Sequence, residues 1–73
     1  KNQEFLKRLM DVHPNLTQGE KYLATLLRAN LSTKEIAMLT GTMPKTINMN
    51  RYRLRKSLGI SSEEDLTNYL QQI

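Results

Sequence analysis

The stretch Ser32-Thr33-Lys34-Glu35-Ile36-Ala37-Met38-Leu39-Thr40-Gly41-Thr42-Met43-Pro44-Lys45-Thr46-Ile47-Asn48-Met49-Asn50-Arg51-Tyr52-Arg53-Leu54-Arg55-Lys56-Ser57-Leu58-Gly59 decides the fold. Ser32 and Glu35 have the spacing of a capping box, in which the hydroxyl and the carboxylate each satisfy an amide the helix leaves unpaired. Gly41 follows a short apolar pattern and marks a helix end, since glycine adopts the left-handed conformation that closes helices. Pro44 suits the first turn of the next helix, where its missing N–H is not needed. Gly59 then closes that helix. The stretch therefore reads as a short helix over about 33–40, a tight turn, and a longer helix over about 44–58.

The same punctuation continues outward. Thr17 and Glu20 predict a capped helix over about 18–29. Ser61 and Glu64 predict another over about 62–72, with Asp65 adding negative charge near its positive end. A leading helix over about 3–12 stops before His13-Pro14, because the residue preceding proline is pushed out of the helical region. Apolar spacing predicts buried stripes of Phe5, Leu9 and Val12; Leu23, Leu26 and Leu27; Ile36, Ala37 and Leu39; Ile47, Leu54 and Leu58; and Leu66, Tyr69, Leu70 and Ile73. No alternating strand pattern, repeat or low-complexity tract interrupts this. The expected class is all-α.

Size and composition exclude much. At 73 residues the chain makes one small domain, and such a chain buries only about 60% of the surface exposed when unfolded. There is no Cys and one His, so disulfides, thiol nucleophiles and zinc sites built on Cys or several His are not expected. The longest apolar run, Tyr22 to Leu27, falls far short of the ~20 residues of a membrane span. No secretion signal is visible. The chain starts at Lys1 rather than Met, which we read as a piece of something longer. No carboxylate pair or nucleophile–base pair stands out, so no enzyme, no catalytic residue, no metal and no cofactor is expected. His13, beside Pro14, reads as an end-packing or surface histidine.

Charge is unevenly placed. The chain has 11 Lys and Arg against 7 Asp and Glu, yet no acid lies between Ile36 and Ser62, where Lys45, Arg51, Arg53, Arg55 and Lys56 fall. A concentrated positive field favours an anionic polymer or surface. On the helix over 44–58, Leu54 and Leu58 fall within about 20° of Ile47, whereas Lys45, Asn48, Met49, Tyr52 and Lys56 lie roughly 100–200° away. That outward face has cations, one amide, one thioether and one phenol, and no acid. Amides bond base edges, thioethers press on thymine methyls, and lysines neutralise phosphate. Short helix, turn and basic helix together form the helix-turn-helix arrangement, whose second helix enters the major groove. The first lies across the backbone and offers its N-terminus, at Ser32, Thr33 and Lys34, to a phosphate.

These residues carry a family resemblance. Leu16-Thr17-Gln18-Gly19-Glu20, Leu31 to Ala37, Thr46-Ile47 and Lys56-Ser57-Leu58-Gly59-Ile60, at these spacings, resemble the DNA-binding domain of LuxR-type (GerE-like) bacterial transcription regulators. The resemblance spans about 16–70. It implies a four-helix helix-turn-helix domain over 16–73, preceded over 1–15 by an additional N-terminal helix and linker from an upstream region. It implies sequence-specific binding of double-stranded DNA as the effector part of a signal-responsive cytoplasmic regulator. Asn48, Met49 and Tyr52 match its base-reading positions, and Ser32, Lys34, Lys45 and Thr46 its phosphate-contacting ones; Arg53 and Lys56 join the latter by placement. A homodimer through Tyr69, Leu70 and Ile73 and a contact with RNA polymerase are further implied partners; no membrane contact is. The chain departs from the pattern at Met43, where a Ser or Thr cap is usual and Thr42 is an alternative cap. It departs also at Thr40, at Asn50, and at Arg51, whose cation falls near the buried stripe and is expected to pair with Glu20 or Glu35. Two rival readings are a sigma-factor region 4-like promoter-binding domain and a helical adaptor docking an acidic partner.

Overall fold

The computed structural model describes residues 2–73. Five helices follow in order: α1 (Asn2–Val12), α2 (Gln18–Arg28), α3 (Thr33–Thr40), α4 (Pro44–Leu58) and α5 (Leu66–Gln71). The chain is all-α, as expected. Among the described residues there is no strand, and no helix is long and apolar enough to cross a membrane.

Local chemistry sets most boundaries. Thr17 caps α2 and Ser32 caps α3, each as a complete capping box with Glu20 or Glu35. Gly41 and Gly59 close α3 and α4 at φ 66° and 74°. Asn30 takes the same left-handed conformation after α2 (φ 67°), a role asparagine tolerates better than most residues. Thr42 N donates to Ala37 O at 2.9 Å, completing the closure of α3.

Helix α2 lies at the centre, packed against α1, α4 and α5, while α3 packs on α4. One cluster holds the core: Phe5, Leu9, Leu27, Ile36, Leu54, Leu66 and Leu70 are the large side chains fully removed from solvent. Phe5 and Leu9 come from α1, so the core does not divide at residue 15. The Arg28 guanidinium sits 4.7 Å from the Phe5 ring centroid, and Arg8 Nε donates to Ile73 O at 2.7 Å. These contacts seat α1 against α2 and the end of α5.

Three expectations need correction. Val12 (61% exposed) and Leu39 (60%) lie outside the core. Val12 is the last residue of α1 and Leu39 lies on the margin of its stripe, and no neighbouring helix covers either. The final helix starts at Leu66, not near Ser62, and Asp65 is its cap, accepting from Asn68 N at 3.3 Å. The competing Ser61 box does not form because residues 61–64 make a turn. The Arg55 guanidinium holds that turn by donating to Ser61 O and Glu64 O.

Candidate nucleic-acid interface

The site rests on α4. Ile47, Leu54 and Leu58 anchor its inner stripe in the core, which turns the opposite face outward. Lys45, Asn48, Met49, Tyr52 and Lys56 are all exposed. Met49 and Tyr52 keep 51% and 60% of their surface in solvent, so neither is absorbed by a neighbouring segment. Lys45, Asn48, Met49, Tyr52 and Arg53 line one shallow depression. The Lys56 ammonium stands 5.2 Å from the Tyr52 ring centroid, within cation–π range, so cation and phenol form one unit on the surface.

The start of α4 is bare. Met43 occupies the cap position without a side-chain cap. The alternative cap is not used: Thr42 Oγ1 is turned back on Thr40, 3.2 Å from Thr40 O, to which it donates, and 3.0 Å from Thr40 Oγ1. Thr40 in turn donates to Ile36 O at 2.8 Å, so the polar residue beneath the turn is satisfied. Thr46 is exposed beside Lys45.

At the start of α3, Ser32 Oγ accepts from Glu35 N (3.1 Å), while Ser32 N donates to the Glu35 carboxylate (2.7 Å). The Ser32 amide is thereby occupied. An acceptor approaching this end meets the Ser32 O–H, the Thr33 and Lys34 amides, and the exposed Lys34 ammonium. One link joins the two helices: Thr33 Oγ1 donates to Asn48 Oδ1 at 3.4 Å. Sequence reasoning missed this contact, and also the one between Ser57 Oγ and Glu20 Oε2 (2.7 Å), which ties α4 to the capping box of α2. Both cross between helices, and no local spacing signals them.

The cations divide by availability. Lys34, Lys45, Arg53 and Lys56 are exposed. Arg55 is held on the turn before α5. Arg51 is half-buried, and the pairing expected for it does not form: Glu20 is engaged by Thr17 N and Ser57, and Glu35 by Ser32 N. Arg53 also borders a cleft with Thr17, Glu20 and Asn50 at the start of α2.

The expected dimer surface is altered. Leu70 is fully buried in the chain's own core and cannot face a partner. Tyr69 and Ile73 are partly buried against the same core, and the Tyr69 hydroxyl is 2.8 Å from His13 Nε2. His13 thus packs the end of α1 against α5. The apolar stripe of α5 faces inward because α2 covers it.

The chain is similar to the transcriptional regulatory protein UhpA. It is 37% identical over 51 residues to UhpA of Escherichia coli (strain K12), and equally to UhpA of Salmonella typhimurium (strain LT2). The match takes in 70% of this chain and 26% of UhpA, so the chain spans about a quarter of the length of these relatives. No family model matches the chain, and no solved structure matches it.

Proposed function

We propose that the chain is a LuxR-type helix-turn-helix domain that binds double-stranded DNA sequence-specifically, positioning a bacterial transcription regulator on promoters in the cytoplasm. The observation that carries this reading is the outward face of α4, exposed, basic and free of acid, with an amide, a thioether and a phenol between its lysines. A face that served only solubility would mix both charge signs. The similarity to UhpA, a protein named for transcriptional regulation, points the same way.

In this reading α4 lies in the major groove, which is wide enough for one helix. Asn48, Met49 and Tyr52 meet base edges. Lys45, Arg53, Lys56 and the start of α3, with Ser32 and Lys34, hold the phosphates, and Thr46 adds a hydroxyl beside Lys45. The cations supply affinity and fix register, while the amide, thioether and phenol supply discrimination.

The test is selection from random duplexes followed by titration of the chosen site. The reading expects one enriched sequence, and its half-site symmetry reports whether two copies bind together. Asn48→Ala changes the preferred base at one position, at a cost of about 1–3 kcal/mol for the affected pair. Selection that enriches nothing, or the same site from wild type and Asn48→Ala, refutes it.

A further inference from the structure

The bond between Thr33 and Asn48 spans the two helices of the helix-turn-helix. Thr33 is the first residue of α3 and Asn48 is in the second turn of α4. The Thr33 hydroxyl donates to the amide oxygen of Asn48, and Asn48 is otherwise exposed. An asparagine amide carries its acceptor and its two donors on opposite arms of one plane. With the oxygen arm directed to α3, the NH2 arm points away from α3.

Resting on the DNA-binding reading above, we infer that Thr33 is a positioning residue that sets which base Asn48 reads, holding the amide so that the site favours guanine over adenine. A free asparagine pairs well with adenine, because its amide turns to offer one donor to N7 and one acceptor to N6–H2. Here the acceptor arm is turned toward Thr33; its second lone pair stays open, but the arm that faces away from α3 is the NH2 group, so the amide leads with donors. Guanine presents two acceptors, N7 and O6, on its major-groove edge. An NH2 group meets acceptors at both positions of the guanine edge and can donate to either, whereas at adenine it meets the N6–H2 donor at one of them. Met49 carries no hydrogen-bond donor, and the Tyr52 hydroxyl both donates and accepts, so neither separates the two purines by itself. Lys45 favours guanine acceptors wherever it reaches them, but it does not touch Thr33, so a preference that depends on Thr33 reports the amide.

The test compares wild type with Thr33→Val, which keeps the branched shape and removes the hydroxyl, and with Thr33→Ser, which restores the hydroxyl. Asn48→Ala identifies the base position that depends on the amide. At that position, selection from random duplexes is expected to show guanine favoured over adenine by about fivefold in wild type and Thr33→Ser, the scale of one net hydrogen bond. In Thr33→Val the ratio is expected to fall to about one, or to turn toward adenine, with the salt dependence of binding unchanged. An unaltered guanine preference in Thr33→Val overturns the inference, and so does an adenine preference in wild type. The free protein gives a second readout that needs no DNA. The Asn48 side-chain NH2 resonances are expected to shift in Thr33→Val and to stay near wild-type positions in Thr33→Ser; equal spectra in all three overturn the positioning role. If no variant binds duplex with salt sensitivity, the DNA-binding reading fails, and these resonances still decide whether Thr33 orients the amide.

Discussion

Removing the charge of Lys56 tests the division between grip and discrimination most directly. Of the six cations on α3 and α4, the structure leaves four exposed: Lys34, Lys45, Arg53 and Lys56. Arg55 is committed to the turn at Ser61 and Glu64, and Arg51 is half-buried. If each exposed cation neutralises one phosphate, counterion release gives a slope of log affinity on log salt of about −3.6 per copy, at roughly −0.9 per phosphate. Raising salt from ~50 to ~200 mM then weakens wild-type binding about 150-fold. Lys56→Ala lowers the slope to about −2.7, and the same salt change costs roughly 40-fold. At ~0.1 M salt one lost phosphate contact weakens binding by about eightfold, near 1.2 kcal/mol. Fluorescence anisotropy on a labelled duplex across a salt series measures both quantities. The loss should be equal on preferred and scrambled duplexes, because phosphate contacts carry no base information. A slope identical to wild type, or a loss confined to the preferred duplex, would refute the assignment of Lys56 to the backbone.

Three further outcomes follow from the packing. Leu70→Ala should destabilise the chain by about 2–5 kcal/mol in urea unfolding, the usual result of emptying a buried leucine site; an unchanged midpoint would return Leu70 to the surface. Gly41→Ala should cost about 1 kcal/mol. Its φ is 66° but an added methyl meets nothing within 4 Å, so the penalty is conformational and a loss above ~3 kcal/mol would contradict it. Asp65→Ala should cost about 1 kcal/mol as a lost cap, measured by thermal melting, whereas Ser61→Ala, which loses only a 3.3 Å bond from Glu63 N on an exposed turn, should cost clearly less. Equal losses would place the helix start back at the serines.

Where structure follows from neighbours within a few residues, the sequence foretold it. Helices α3 and α4 begin and end as read, because Ser32, Gly41, Pro44 and Gly59 each act on backbone within one turn. The outward face of α4 was equally legible, since a helix wheel needs no knowledge of other elements. The start of α5 was not. Two serines and an aspartate compete for one helix start, and the contest is settled by Arg55, which lies in another helix. Periodicity placed Val12 and Leu39 on apolar stripes without telling whether anything would cover them. Spacing placed Leu70 on a buried stripe, where it lies; the dimer role came from the family resemblance, and a side chain fully inside the core has no surface to offer a partner. The Thr33–Asn48 and Glu20–Ser57 bonds join residues far apart in the chain, and only the packing of α3 and α2 on α4 brings them together.

The seating of α1 has a practical consequence. Phe5 fills space beneath Arg28, and Leu9 completes the same interior. A fragment trimmed to begin at Leu16, where family resemblance starts, would open that interior to water and strip the Phe5 ring from beneath a guanidinium. Cloning boundaries drawn from similarity alone would cut through the domain's own foundation.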